Sequence, residues 1–295
     1  MKQTLFCLFI CVNILVVKAQ ITTKAQQYLI SFHRPDAVVI VNESGEVQWK
    51  AEPKLKHPQD IGITAKGHIL CSDYSGVVCI GLDNQIKWRA SIPEGTQNPV
   101  AFPLENDRFL IGVEGPMLLR EINSKGDILK ELQFNTSYEK VHGQFRVCRK
   151  TEVGTYLIPF TLEGAVREYN VEGKLIRDFG AYKLAVGALR LPNGNTLISY
   201  YDGIVEIDPN DKIVWDFMTK RDCNFPFGNA IGMAKLKNGN VVTGFYSKNP
   251  EVPNLIEISP DKKIVKSINV KGYTNIGHFQ ILEDNYKPSA EVLIR

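Results

Sequence analysis

Short apolar segments separated by turn residues run through most of the chain. Between Gly187 and Phe217 four of them follow one another: Gly187–Leu191, Thr196–Tyr200, Ile204–Ile207 and Lys212–Phe217. They are rich in Val, Ile, Tyr and Trp, and Asn-Gly, Asp-Gly and Pro-Asn-Asp separate them, which is typical of antiparallel strands joined by tight turns. Outside the N-terminal segment, no window of about 12 residues has helical periodicity. The pattern therefore predicts an all-β chain.

This four-strand pattern recurs along the chain at a nearly constant spacing. Aligning the units places the following residues at one equivalent position: Trp49, Trp88, Lys130, Arg177, Trp215 and Lys266. The residues nine positions earlier also align: Ile40, Cys79, Glu121, Glu168, Glu206 and Glu257. Four strands per repeat of about 40 residues indicate a β-propeller blade. A two-sheet sandwich does not predict repeated units. We expect the three Trp side chains to be largely buried between neighbouring blades.

The two ends of the chain are predicted to complete the ring together. Tyr28–Asn42 resembles the middle strands of a unit but lacks its first strand, and Gly277–Asp284 matches that missing strand. A blade built from both termini would close a ring of six four-stranded blades and leave no open sheet edge. Ala290–Arg295 is a further strand candidate, which could add an outer edge strand or begin a seventh blade.

The N-terminus has the pattern of a secretory signal. Lys2 precedes the apolar run Leu5–Val17, and Val17-Lys18-Ala19 fits a signal peptidase site. The run is shorter than the roughly 20 residues of a membrane span, so a cleaved signal is favoured over an anchor. We therefore expect residues 1–19 to be a signal peptide and residues 20–295 to form one propeller domain without a membrane span. The protein would then be secreted or periplasmic.

The net charge and the cysteine spacing limit the partners, metals and cofactors that the sequence predicts. The formal net charge is +3, which does not suggest a nucleic-acid partner. No Cys/His cluster has metal-ligand spacing and no phosphate loop is present, so we expect no metal and no cofactor. Cys71 and Cys79 flank a predicted turn; a cross-strand disulfide and two buried thiols are both open.

The repeats resemble a known superfamily. The motifs Leu191-Pro-Asn-Gly-Asn-Thr-Leu197, Gly203-Ile-Val-Glu-Ile-Asp-Pro209 and Lys212-Ile-Val-Trp215 are similar to those of PQQ-like propellers, above all the six-bladed arylsulfotransferase type. The resemblance implies a secreted six-bladed propeller. For the arylsulfotransferase type it also implies histidines and an arginine in the central funnel that transfer a sulfuryl group. The motifs specify blades rather than chemistry.

Polar residues are concentrated where the innermost strands begin, at the mouth of the predicted funnel. The mouth positions are His57, Asn98, His142, Ala185, Ala230 and Asn275. We assign candidate catalytic roles to His142, His57 and His278. The candidate ligand-binding residues are Arg146, Gln144, Asn98, Asn275, Asp60 and Tyr201, the last as one of several rim aromatics. His with Arg suits a sulfate or carboxylate, and His with Asp suits a base with its orienting group.

Three functions remain open at this point. The first is a secreted binding protein for a carbohydrate or another extracellular, anionic ligand, held in the central funnel. The second is an enzyme in that funnel, sulfotransferase-like, lyase or hydrolase, that acts on a sulfated or acidic glycan or aryl compound. The third is a scaffold of an envelope complex. In the first two the partner is a small molecule or a glycan, and we expect a monomer.

Overall fold

The protein is a six-bladed β-propeller with nearly no helix. A computed structural model describes residues 26–226 and 228–294. The predicted signal peptide, residues 1–19, lies outside this part of the chain. No helix of the described residues is long and apolar enough to cross a membrane.

The strands follow one another blade by blade along the chain. The first three described strands belong to blade 6: β1 (Gln26–Arg34), β2 (Asp36–Asn42) and β3 (Val47–Lys50). Blade 1 contains β4 (Ile61–Ile63), β5 (Ile69–Asp73), β6 (Gly76–Ile80) and β7 (Ile86–Ser91). Blade 2 contains β8 (Ala101–Pro103), β9 (Arg108–Val113), β10 (Leu118–Asn123) and β11 (Ile128–Gln133). Blade 3 contains β12 (Arg149–Lys150), β13 (Tyr156–Phe160), β14 (Ala165–Tyr169) and β15 (Leu175–Ala181).

The second half repeats this order and returns to blade 6. Blade 4 contains β16 (Gly187–Arg190), β17 (Thr196–Tyr200), β18 (Gly203–Ile207) and β19 (Ile213–Met218). The short helix α1 (Thr219–Asp222) leads to blade 5, with β20 (Asn229–Leu236), β21 (Val241–Tyr246), β22 (Leu255–Ile258) and β23 (Ile264–Ile268). The chain ends in β24 (Thr274–Glu283) and β25 (Val292–Ile294).

The core lies between the faces of neighbouring blades. The middle strands, such as β5 and β6, are buried along their whole length, whereas the outermost strand β7 is mostly exposed. Strands covered on both faces need apolar residues at every position, which explains the continuous Val and Ile runs. One interblade cluster, for example, joins Leu29 and Ile40 of blade 6 to Ile61 and Ile69 of blade 1.

Ring closure by the two termini is confirmed. Strand β24 is the innermost strand of blade 6 and pairs with β1, with Tyr28 opposite Ile281 and Ile30 opposite Phe279. Gly277 of β24 allows the close approach to blade 1 that this requires. A Cβ there would lie 2.6 Å from the carbonyl oxygen of Pro58.

Both expectations for the C-terminal strand are wrong. Strand β25 neither adds an outer edge strand nor begins a seventh blade. It pairs with β20, with Leu236 opposite Val292 and Lys235 opposite Ile294, at the inner edge of blade 5. After β24 the chain turns back, forms an isolated bridge between Pro288 and Leu282, and then pairs with the free edge of β20 in blade 5.

The Cys71–Cys79 disulfide alternative is also wrong. Cys71 lies opposite Val78, and Cys79 lies opposite Leu70. This offset of one residue puts the two thiols on opposite faces of the blade, because side chains alternate along a strand. Both are free and buried, and they belong to different interblade clusters.

The three tryptophans occupy equivalent positions on outermost strands and are partly buried, each packed against an interblade cluster. The Trp49 indole N–H donates a 2.9 Å hydrogen bond to the Leu82 carbonyl, and that of Trp215 a 3.0 Å bond to the Pro260 carbonyl. Each acceptor lies in the outer turn of the next blade. Trp88 instead packs on Phe109, with 4.7 Å between ring centroids.

We expect Trp215→Phe to lower the free energy of unfolding by about 1 kcal/mol more than Trp88→Phe, because the first variant loses an interblade hydrogen bond. Chemical denaturation of both variants measures the difference. Equal losses would contradict a role for the indole N–H in joining blades.

Candidate functional site

A cavity of about 240 Å³ opens at the face where each blade connects to the next. We call it the funnel cavity. Its wall is formed by His33, His57, Gln59, His142, Arg146, Thr161, Leu184, Val186, Asn229, Ile231, Tyr246, Ile276 and Gly277. It is smaller than the roughly 300–1,000 Å³ of drug-sized ligand sites, so it suits a small ligand.

His57 is oriented by a carboxylate from the neighbouring blade. Its Nδ1–H donates to Asp36 Oδ1 at 3.1 Å, and its backbone N–H donates to Asp36 Oδ2 at 3.2 Å. The backbone of His57 has φ 50°, an uncommon conformation for a residue with a Cβ. Because Asp36 holds the ring through Nδ1, the Nε2 atom is left as the basic nitrogen of a His–Asp pair.

Four rings form a continuous row along one side of the funnel cavity. His33 stacks on His57 with 5.0 Å between centroids and 15° between planes. Tyr74 meets His57 edge-on at 4.8 Å and His142 at 6.1 Å. The row therefore joins the turns of blades 6 and 1 to the loop between blades 2 and 3.

His142 is coupled to a buried arginine. Its Nδ1 lies 2.8 Å from Gln97 Oε1, and its Nε2 lies 3.2 Å from Arg146 Nη2. Because the arginine can only donate, Nε2 accepts and the proton sits on Nδ1. Arg146 also donates from Nη1 to Glu114 Oε1 at 2.8 Å.

Glu114 organises the loop that carries this pair. Its Oε1 accepts backbone N–H bonds from Gly143 at 2.9 Å and from Phe145 at 3.2 Å. Burial raises the pKa of Glu114 above its usual value, although Arg146 and the two N–H groups oppose the shift. The carboxylate thus holds the guanidinium at the wall of the funnel cavity.

The environment keeps two histidines of the site neutral near pH 7. Burial lowers the pKa of His33 to about 4, and the nearby His57 contributes in the same direction. Burial also lowers the pKa of His142, with Arg146 and His57 adding to the shift. Burial raises the pKa of Tyr74. The cavity wall therefore holds neutral imidazoles beside one permanent cation.

Several polar atoms of the wall have no hydrogen-bond partner among the described residues although they are buried: His33 Nε2, Thr161 Oγ1 and Asn229 Oδ1. Buried polar groups are nearly always paired, so each such group requires an explanation. All three atoms belong to residues that line one cavity.

Blades 4, 5 and 6 supply the aliphatic lining of the cavity, which is Leu184, Val186, Ile231 and Ile276. Asn229 and Tyr246 of blade 5 line the cavity beside them. Val186, Ile231 and Ile276 also belong to one hydrophobic cluster of the core. Core packing therefore holds this side of the funnel cavity in place.

Two predicted site residues, Asp60 and His278, lie in a separate buried cluster and do not line the funnel cavity. Asp60 accepts two bonds from Arg149, at 2.8 and 2.9 Å, and one backbone N–H bond from Ala101 at 3.0 Å. Arg149 also donates to His278 Nε2 at 3.3 Å. The sequence indicated both residues because they lie at the start of an inner strand. Their side chains instead connect neighbouring blades.

Four more predicted residues lie outside the cavity wall. Gln144 accepts a 2.6 Å bond from the Gly115 N–H, and Asn98 bonds the Gly76 carbonyl and the Gly112 N–H. Asn275 is buried, with its backbone N–H bonded to the Ser247 carbonyl. Tyr201 lies on the rim beneath Lys183, whose Nζ is 4.5 Å from its ring centroid.

The structure thus brings together His57, His142 and Arg146 of the predicted set. It adds Asp36 and Glu114, which the sequence did not indicate, and His33 and Tyr74, which the strand alignment predicted only in rim loops of the same face. These four lie where the second and third strands of blades 6, 1 and 2 connect, so the strand alignment offered a positional signal. Which of these side chains turn inward could not be read from it.

No cluster of three or more His, Cys, Asp or Glu residues with metal-binding geometry occurs in the described part of the chain. Ring stacking and contacts with Asp36, Gln97 and Arg146 hold the histidines of the row of four rings in place.

Structural comparison supports the fold. A protein of unknown function from Bacteroides caccae has a TM-score of 0.77 at 24% identity and covers 87% of this chain and 98% of its own. A streptogramin B lyase has a TM-score of 0.58 at 12% identity, covering 82% of each chain. A catalytically inactive virginiamycin B lyase variant from Staphylococcus aureus with quinupristin has a TM-score of 0.57 at 10% identity, covering 85% and 86%. No protein family and no curated protein sequence matches the chain.

The low pKa of His33 predicts acid destabilisation. Its value of about 4 lies below the ordinary 6.5, so the unfolded chain binds more protons between these values and stability falls as pH drops through that window. Between pH 7 and pH 5 the wild type should lose about 1–2 kcal/mol more unfolding free energy than His33→Gln.

Urea denaturation of both proteins at the two pH values measures this difference. His68→Gln serves as the control, since His68 lies outside the funnel cavity and should keep the full pH dependence. An equal loss in wild type and His33→Gln would argue against a neutral, buried His33.

Proposed function

We propose that this protein is a secreted or periplasmic, monomeric β-propeller that binds a small organic anion in the funnel cavity. The observation that carries the proposal is the Arg146–His142 pair at the cavity wall, with the guanidinium held by Glu114. An arginine presents several N–H donors in a fixed fork that suits carboxylate and sulfate. The imidazole of His142 beside it can take up a proton when an anion binds.

The size of the cavity supports a small molecule rather than an extended glycan. At about 240 Å³ it has room for little more than one compact group. Tyr246 is the one Tyr, Phe or Trp of the rim that lines it among the described residues, so stacking faces for sugar rings are scarce there. Secretion is supported by the N-terminal sequence pattern, and membership of the PQQ-like superfamily by the blade motifs.

The binding proposal predicts a requirement for negative charge. Phenyl sulfate should bind, and phenol, which lacks the anionic group, should bind at least tenfold more weakly. His142→Ala and Arg146→Lys should each weaken phenyl sulfate binding by about 10–100-fold, because the first removes the imidazole beside the anion and the second keeps the charge but loses the guanidinium fork. Isothermal titration calorimetry measures the affinities, and melting temperatures check folding.

Tyr201→Ala is the matched control, because Tyr201 lies on the same rim but outside the funnel cavity. It should leave affinity unchanged. If phenol binds as tightly as phenyl sulfate, or if Tyr201→Ala weakens binding as much as His142→Ala, the anion-binding proposal fails.

A second candidate, a lyase or hydrolase of the funnel, is favoured by the His57–Asp36 pair. Asp36 fixes the tautomer and orientation of His57, whose Nε2 is then available to remove a proton from a bound molecule. Arg146, across the row of rings, could stabilise the negative charge that develops. The names of two proteins with a similar fold, a streptogramin B lyase and a virginiamycin B lyase, support the lyase alternative.

The enzyme candidate predicts a separation of binding from turnover. With a compound that binds the wild type, His57→Ala should retain affinity within about threefold and lose turnover by at least 100-fold. Asp36→Asn should reduce turnover less than His57→Ala. Product analysis by mass spectrometry checks this, and the absence of any product from the wild type would leave the binding function alone.

A further inference from the structure

The funnel cavity is divided into two halves of different chemistry. The half formed by blades 6, 1 and 3 carries His33, His57, His142 and Arg146, whereas the half formed mainly by blades 4 and 5 carries Leu184, Val186 and Ile231. Ile276 of β24 completes the second half. A ligand that fills the cavity must therefore contact both.

The apolar half of the funnel cavity offers water no hydrogen bonds. Val186, Ile231 and Ile276 are at most 8% exposed and are continuous with a core cluster. A ligand covered with hydroxyl groups would lose its hydrogen bonds to water on this side without replacing them, at an unfavourable free energy. An apolar ligand body would instead remove its own hydrocarbon surface and that of the partly exposed Leu184 from water.

We propose that the ligand class is the compact amphiphilic acid: one carboxylate or sulfate attached to a small hydrocarbon body, cyclic or branched. The acid group contacts Arg146 and His142, and the body packs on Leu184, Val186, Ile231 and Ile276. This inference rests on the anion-binding function proposed above and specifies its ligand.

Uncharged and sugar-like alternatives fit less well. A neutral apolar ligand would leave the Arg146 guanidinium facing a hydrocarbon, and a sugar acid would set its hydroxyl groups against the apolar half. The volume also favours a small hydrocarbon body, since about 240 Å³ is below the size of drug-sized ligand sites.

Three matched compounds test the ligand class. Cyclohexanecarboxylate has charge and an apolar ring, glucuronate has the same charge on a hydroxylated ring, and cyclohexylmethanol has the apolar ring without charge. We expect cyclohexanecarboxylate to bind at least tenfold more tightly than either of the others. Calorimetric titration at pH 7 gives all three affinities.

Substitutions in the apolar half test recognition of the ligand's hydrocarbon body separately from recognition of its charge. Leu184→Asn suits the backbone at this position, where φ is 52°, because asparagine tolerates this conformation. It should weaken cyclohexanecarboxylate binding about tenfold and leave glucuronate binding unchanged. Leu162→Asn, on an exposed leucine outside the cavity wall, should change neither. Val186→Thr keeps the side-chain shape and should act in the same direction as Leu184→Asn.

The outcomes distinguish the two proposals. If glucuronate binds as tightly as cyclohexanecarboxylate, the amphiphilic ligand class is wrong and the anion site stands. If cyclohexylmethanol binds as tightly as the acid, the anion-binding function is wrong. If none of the three binds, both are overturned. Retained affinity in folded Leu184→Asn and Val186→Thr variants would also overturn the assignment of the apolar half.

Discussion

The buried carboxylate of Asp60 is the interaction on which the centre of the ring depends. It accepts both arms of Arg149 from blade 3 and the Ala101 N–H from blade 2, while His278 of blade 6 lies against the same guanidinium. Burial by itself would raise the pKa of Asp60, but Arg149 and His278 hold it below its usual value. A buried ion that lost this partner would destabilise the fold by about 3–5 kcal/mol. One residue of blade 1 thus fixes the inner strands of three other blades.

A second buried carboxylate–arginine pair, Glu114 and Arg146, lies at the mouth of the funnel and has a different role. Glu114 accepts two backbone N–H bonds and Arg146 Nη1. Whereas Arg149 is enclosed among protein groups and over the Phe102 ring, Arg146 reaches the wall of the funnel cavity and bonds His142. The first pair therefore joins blades, and the second presents a preorganised donor to whatever enters. Because Glu114 balances the charge, the guanidinium can stay buried without a ligand and needs little rearrangement to bind one.

The blades were predictable because the repeat imposes one pattern of strands and turns six times, so that a local error in one unit is corrected by the others. Closure by β24 and β1 followed from the same alignment. Features that depend on a shift of one residue along a strand could not be predicted from the repeat. A shift of one position places Cys71 and Cys79 on opposite faces, and β25 found an edge on β20 that no repeat marks. The site shows the same limit: strand starts pointed to His57, His142 and Arg146, but equally to His278 and Asp60, whose side chains turn into the core.

The six-fold repetition of the scaffold also explains how an asymmetric cavity arises. Equivalent turns place His33, Tyr74, Glu114 and Thr161 around one axis, and the loops between blades add His57, His142 and Leu184. The strand hydrogen bonds and the apolar clusters between blades hold the strands that carry these turns, so the side chains at the mouth can differ from blade to blade. Charged and basic groups then gather on one arc and aliphatic groups on the other, and the boundary between them carries buried polar atoms without described partners. A cavity with two such halves recognises the orientation of a ligand as well as its charge, because only one placement pairs the cation with an anion and the aliphatic wall with a hydrocarbon.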